Sequence, residues 1–165
     1  HCAFEPQSPA LWAEWVVSQR QAAGITVSWD FGWSEALATR NGISDLVSAV
    51  DLLFLNEDET LLYSGVSQWD HAIQYWKGQQ RCVIIRRAER GAEWVCGDSH
   101  YHALPPVVEV RDPTGAGDAF NAGFLCAWTK GFDPQECLTW GNRLGSAAVT
   151  AVGGIAGLPH GSIGD

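Results

Sequence analysis

Methionine is absent from the 165 residues, and basic residues are scarce: 10 Lys+Arg stand against 19 Asp+Glu, a formal net charge of -9. A chain this acidic lacks the basic face that selects a nucleic-acid backbone, because polyanions bind where positive charge clusters. A small phosphorylated ligand held by a few local groups stays open. No apolar run approaches the roughly 20 residues of a membrane span, and no basic-then-apolar signal segment opens the chain. The five cysteines, Cys2, Cys82, Cys96, Cys126 and Cys137, contain no C-x-x-C pair. That spacing argues against a disulfide framework or zinc ribbon and for buried free thiols in a reducing cytoplasm. Internal repeats, charged blocks and low-complexity linkers are also missing. The lack of Met, with a start at His1, is read as the mark of a piece of a longer chain.

What is present can fold. With 46% hydrophobic and 18% charged residues, the chain can bury a core and is not disordered. Nine Trp are many for this length and are expected in the core or against a partner surface.

The pattern alternates strands with helices. Helical spacing runs from Pro9 to Ala23 and stops at Gly24; a strand is predicted over Ile25–Trp29, ending at Asp30. Short helices are predicted over Ile43–Val50, from Asn56 to Tyr63, and over Trp69–Lys77. Between them Asp51–Leu55 and Cys82–Ile85 are apolar runs of the buried-strand kind. Glu93–Cys96 and His100–Leu104 straddle Gly97-Asp98 as a hairpin, and Val107–Val110 is predicted as a further strand. Long helices are predicted over about Asp118–Lys130 and from Pro134 to about Val152. One α/β domain follows: a mainly parallel sheet covered by helices on both faces, three layers in all, with antiparallel strands at one side.

The segment Arg111-Asp112-Pro113-Thr114-Gly115-Ala116-Gly117-Asp118-Ala119-Phe120 carries the chemistry. Small residues open a helix there, leaving backbone N–H groups unpaired at its positive end. A phosphate or a developing anionic oxygen fits without basic side chains. Asp118, in the first turn, can take a proton from an attacking hydroxyl. A plain tight turn capped by Asp118 is the other reading of the same residues. A Walker A loop is excluded, since Gly117 is followed by Asp118 rather than Lys; a dinucleotide fingerprint is excluded, since its third glycine falls on Phe120.

Asp112 to Leu125, DPTGAGDAFNAGFL, resembles the C-terminal signature of the PfkB/ribokinase family of carbohydrate and nucleoside kinases and agrees with it at every constrained position. The resemblance covers about Ile25 to Gly157. It implies a ribokinase-like α/β fold, present in part, and transfer of the γ-phosphoryl of ATP to a substrate hydroxyl. It makes Asp118 the catalytic base and the amides of Gly115, Ala116, Gly117 and Asp118 the anion hole. Asp112 and the Thr114 carbonyl match a monovalent-cation region, K+ being the candidate ion, with Gly153-Gly154 on its other side. Asn56 and Glu59 match the N-x-x-E element that organises Mg2+ and its waters, Glu59 acting through water; a helix cap is the other reading. Asn142 falls where the family borders adenine, or is a solvent-facing helix residue. Asp30 matches the Asp of the D-x-N-x-R element.

The departures are local. The Asn and Arg of that element are Gly32 and Ser34 here. The strand after Cys82 ends in Arg86-Arg87-Ala88 instead of Thr, a variable residue and Gly, while Gly91 is kept. Arg86 or Arg87 could reach donor phosphates, or form a solvated charge cluster with Glu89 and Glu93. His100 and His102 alternate on one strand, which suits an exposed edge better than a metal site. Cys126 is expected in the core.

The family is about twice this length, and its substrate and lid elements are not visible. The whole chain, residues 1–165, is thus expected to be the C-terminal, nucleotide-binding part, poorly active alone, with the stretch holding Glu5 and Pro6 joining mid-fold. The expected partners are ATP and a small sugar, with Mg2+ and K+ as ions, no nucleic acid and no membrane, and a homodimer as an option. A nucleoside or vitamin kinase of the same fold, or a non-catalytic nucleotide-binding module, are the alternatives.

Overall fold

A computed structural model describes residues 8–79 and 81–159. Cys2, Glu5, Pro6 and the end of the Gly-rich tail lie outside them. The chain forms two compact units, His1–Ile85 with Val95–His100, and Arg86–Trp94 with Tyr101–Asp165.

In the first unit, α1 (Pro9–Ala23) starts at Ser8, whose hydroxyl accepts the Ala10 N–H, and stops at Gly24 in the left-handed region, φ 62°. It buries Pro9, Ala13 and Val16. The parallel strands β1 (Ser28–Asp30) and β2 (Leu52–Asn56) place Asp30 beside Phe54. The pairing begins later than the predicted strand because α1 is tied to the strand starts by a clasp. Arg20 donates to the Ala49 carbonyl (2.9 Å) and to Asp51 Oδ1 (2.5 Å). Asp51 Oδ2 in turn accepts the Val27 N–H (2.9 Å). The short helix α2 (Glu35–Ala38) is capped by Ser34, and α3 (Ile43–Ala49) leads into β2. Next come α4 (Glu57–Ser64) and α5 (Trp69–Gly78).

Four consecutive buried residues of β2 show a strand covered on both faces. Leu53, Leu55, Val16, Leu46, Phe31 and Trp76 form the core of this unit with Val83 and Ile85. Trp76 is fully buried, and its indole N–H is satisfied by the Thr60 carbonyl at 3.0 Å.

Three further strands follow: β3 (Cys82–Arg86), β4 (Ala92–Cys96) and β5 (Ser99–Ala103). The five strands hydrogen-bond in sequence order, β1-β2-β3-β4-β5, in a mixed sheet. Connections as short as Gly97-Asp98 permit only antiparallel neighbours. One sequence expectation is corrected here: Cys82 and Cys96 are not free thiols but a disulfide, with Cα atoms 4.3 Å apart. The hairpin register explains it, since Arg87 N–H donates to the Gly91 carbonyl, and counting back along both strands sets Cys82 opposite Cys96. A separation of 14 residues in sequence hides that apposition. Cys137 is buried and free, and burial pushes its thiol up to about 11; Cys126 is free and half-buried rather than in the core.

The second unit is built on α6 (Ala116–Thr129) and α7 (Pro134–Ala148). They pack closely because glycines face the partner helix. A Cβ on Gly123 would stand 2.6 Å from the Trp140 carbonyl, and one on Gly141 would stand 2.7 Å from the Phe120 ring. Trp94 stacks on Phe124 and leans on Trp128, with ring centres 5.6 and 5.3 Å away. Two expectations fail. Val107–Val110 is exposed and irregular, finding no ladder partner among the described residues. Helix α7 ends at Ala148 rather than near Val152. The Gly153 N–H, which would continue the helix onto Val149, goes instead to Asp112 Oδ2 (3.0 Å). The Val149 carbonyl is taken by the N–H groups of Arg111 and Asp112 (2.8 and 3.2 Å). None of the helices among the described residues is long and apolar enough to cross a membrane.

Candidate active site

The glycine-rich loop lies in the second unit, at the start of α6. Gly115 is its N-cap at φ 78° and supplies no side-chain cap. Among the described residues, the N–H groups of Gly117 and Asp118 have no acceptor; Ala116 N–H donates to Pro113 and Ala119 N–H to Gly115. Two adjacent open donors at a positive helix end are an anion site in waiting. The Asp118 carboxylate, beside them in sequence, is exposed and makes no hydrogen bond or ion pair among the described residues.

Asp112 shapes the turn that leads in. Its Oδ1 accepts the Thr114 N–H (2.9 Å) and its Oδ2 the Gly153 N–H. Hydrogen bonds from the Thr114 side chain first, then from the Gly153 and Thr114 N–H groups, hold its carboxyl below the usual carboxylate range. A lowered folded value adds stability at neutral pH that is lost only as pH falls through that value. The loop of Gly153-Gly154 is drawn in against Thr114-Gly115. A Cβ on Gly154 would stand 3.2 Å from the Thr114 carbonyl oxygen, and one on Gly115 would stand 3.2 Å from the Gly154 carbonyl oxygen. The Thr114 and Gly154 carbonyl oxygens thus lie close against the facing glycines, and carbonyl oxygens are the donors that hard cations take.

The Arg86-Arg87 pair divides. Successive strand residues point to opposite faces. Arg87 turns to a salt bridge with Glu93, a carboxylate only 5% exposed. Arg86 turns to α6, where its Nη1 donates to Asn121 Oδ1 (2.9 Å) and the Gly117 carbonyl (3.4 Å). The Glu93 part of the charge cluster that the sequence allowed is thus formed by Arg87, in a half-buried rather than a solvated setting. The next residue, Ala88, is the only non-glycine in the left-handed region among the described residues, φ 50°. The backbone keeps the turn that glycine makes without strain. Ala88→Gly is expected to raise stability by about 1 kcal/mol, read as a later midpoint in urea unfolding.

Two further sequence candidates converge on one carbonyl. Gly91 (φ 87°, ψ -143°) lies against the Ala103 oxygen, which a Cβ would approach to 2.1 Å. Asn142 is 5% exposed rather than solvent-facing, and its amide donates to that same oxygen at 2.7 Å. His100 and His102 lie exposed on β5, with His102 Nε2 2.8 Å from the Arg90 carbonyl. No group of three or more His, Cys, Asp or Glu residues that could hold a metal occurs among the described residues.

In the first unit, Asp30 and Asn56 end neighbouring parallel strands at their carboxyl edge, where open α/β sheets bind ligands. Asn56 and Glu59 form a reciprocal capping box: Asn56 Oδ1 accepts the Glu59 N–H and Glu59 Oε2 accepts the Asn56 N–H, each at 2.8 Å. Both the cap and a carboxylate at the sheet edge are thus present in one motif. Tyr63 donates to the Gly32 carbonyl (2.7 Å). Burial above all, then the carboxylates of Glu59 and Asp30, pushes its phenol far up. Gly32 and Ser34, where the resemblance expects Asn and Arg, serve as this acceptor and as the α2 cap. Asn121 was missed by sequence reasoning; its only signal is its place one helical turn after Gly117.

Comparison with known proteins sets this geometry in a family. The model for the pfkB family carbohydrate kinases matches residues 3–161, and the chain belongs to that family. A cytidine kinase of Thermococcus kodakarensis is 34% identical over 110 residues, 65% of this chain and 40% of its own length. The aminoimidazole riboside kinase of Salmonella enterica, solved with aminoimidazole riboside and an ATP analog, superposes with a TM-score of 0.76 at 27% identity, covering 90% of this chain and 53% of that one. The adenosine kinase of Sinorhizobium meliloti shares the fold, with a TM-score of 0.82 at 24% identity over 97% of this chain and 49% of the other. The chain spans about half the length of the proteins that it matches.

Proposed function

We propose that the chain is the nucleotide-binding part of a kinase that transfers the γ-phosphoryl of ATP to a hydroxyl of a sugar. The observation that carries this reading is the loop of a pfkB-family chain whose Gly117 and Asp118 amides are open, beside an exposed carboxylate, none of them partnered among the described residues. Phosphoryl transfer asks for positioning and charge stabilisation more than covalent chemistry. Of the amides of Gly115, Ala116, Gly117 and Asp118, the open ones of Gly117 and Asp118 would hold developing charge on the phosphate oxygens, and that of Ala116 would have to leave the Pro113 carbonyl to join them. Asp118 would take the proton from the attacking hydroxyl as its oxygen bonds to the γ-phosphorus and the bond to the β,γ-bridging oxygen breaks, releasing ADP.

The ions fit the residues present. Thr114 and Gly154 offer carbonyl oxygens, and Asp112 a charge behind them, to a monovalent cation such as K+. Glu59 suits contact with Mg2+ through water, since that ion keeps much of its hydration. Bound Mg2+ would neutralise charge on the donor phosphates. Asn56 orients Glu59. Gly91 and Asn142 are proposed to border the nucleotide, through the hairpin and helix that they hold together at Ala103.

A nucleoside acceptor is the second reading, favoured by the cytidine kinase among the relatives. A panel of sugars and nucleosides incubated with Mg·ATP, with ADP release and phosphorylated product measured together, decides between them. Product from a sugar supports the proposal. Product from nucleosides alone moves the acceptor to the second class, and failure to bind ATP overturns the nucleotide-binding reading.

A further inference from the structure

We infer that Asn121 is a positioning residue for the donor phosphates, acting through Arg86; this rests on the nucleotide-binding role proposed above. Gly117 and Asn121 lie one turn apart, on one face of α6. Arg86 Nη1 spans both, 2.9 Å from Asn121 Oδ1 and 3.4 Å from the Gly117 carbonyl. It sits so close to the loop that a Cβ on Gly117 would come within 3.1 Å of it. The guanidinium is therefore held at the turn whose amides, Gly117 and Asp118, have no acceptor among the described residues.

The chemistry explains why a fixed Arg matters here. Backbone amides supply partial charges only, and the chain around them carries a net charge of -9. A permanently charged fork beside them adds a full charge to their partial ones, with donors that match phosphate oxygens. A long side chain on a half-buried strand end still loses rotamer freedom when it is held in one place. Asn121 meets that cost before the ligand arrives, which is preorganisation. An Asn suits this better than Asp, since it orients the guanidinium without neutralising it. Arg87, one residue on, cannot substitute, because it is committed to Glu93.

The ligand class that follows is a polyanion of the nucleoside triphosphate kind, with affinity rising with the number of phosphates. The test is a double-mutant cycle on the chain, titrated with Mg·ATP, ADP and AMP by calorimetry. Arg86→Ala is expected to weaken ATP about 30-fold and AMP less than threefold. Asn121→Ala is expected to weaken ATP about fivefold in the Arg86 background and not at all beside Arg86→Ala. Asn121→Ser, which keeps a short acceptor, should fall between. Equal losses from Asn121→Ala in both backgrounds, or loss of thermal stability with unchanged ATP affinity, would make Asn121 a mere structural residue and overturn the inference. If the unaltered chain binds none of the three nucleotides, the proposed function falls with it; if it binds them and both single variants bind equally well, only this inference falls.

Discussion

Replacing Asp118 by Asn in the active protein is expected to lower kcat roughly 10³-fold, within the range that a lost general base costs, while the affinity for Mg·ATP changes less than about twofold. The substitution is nearly isosteric and leaves the helix start intact. Asp118 lies exposed, with no partner among the described residues, so removing its charge breaks no internal contact. The amides that would hold the phosphate are main-chain groups and survive the change. What disappears is the proton acceptor next to the attacking hydroxyl. A loss in kcat and kcat/KM together, without a rise in the ATP dissociation constant, is the signature of an interaction made in the transition state. Turnover within threefold of the unaltered protein would remove Asp118 from the role of base. A large loss of ATP affinity with kcat preserved would make it a binding residue instead.

The second large effect is on stability. Gly91→Ala is expected to cost roughly 4 kcal/mol, combining backbone strain in a glycine-only region with an orphaned buried amide. Gly91 holds φ 87° and ψ -143°, and the added Cβ would stand 2.1 Å from the Ala103 oxygen. That oxygen is backbone and cannot swing aside as a flexible side chain would. Moving it breaks the 2.7 Å bond from Asn142, whose amide is buried and then lacks this partner. Gly97→Ala is the matched control: its φ of 57° is also positive, but a Cβ there meets nothing within 4 Å. It should cost about 1 kcal/mol. Urea midpoints for the two variants measure the difference. Equal midpoints would mean that the strand ends at Gly91 and Ala103 part without cost.

Much of the fold was legible because its signals are local. Apolar runs marked β2 and β3, Gly24 and Gly65 marked helix ends, and Gly97-Asp98 marked the hairpin. Each depends on what a residue can do by itself or with neighbours a turn away. The loop at Asp112–Asp118 was legible for the same reason: small residues at a helix start expose amides whatever surrounds them. The misreadings share the opposite cause. Val107–Val110 has the composition of a strand, yet a strand exists only with a ladder partner. The last helix reads as continuing to Val152, but Asp112, 41 residues before Gly153, captures the N–H that would extend it. The cysteines read as unpaired until the hairpin register set two of them side by side.

The sequence alone determined the family, because the signature around Gly115–Asp118 is contiguous and its physics is that of one helix end. Tertiary structure decided the charges. Adjacent arginines are indistinguishable as letters, but the fold sends Arg87 to Glu93 and Arg86 to Asn121 and the Gly117 carbonyl. It likewise turned Asn142 inward to the Ala103 carbonyl. Contacts between residues 30 to 40 positions apart are fixed only when strands and helices pack, which is why no local pattern could announce them.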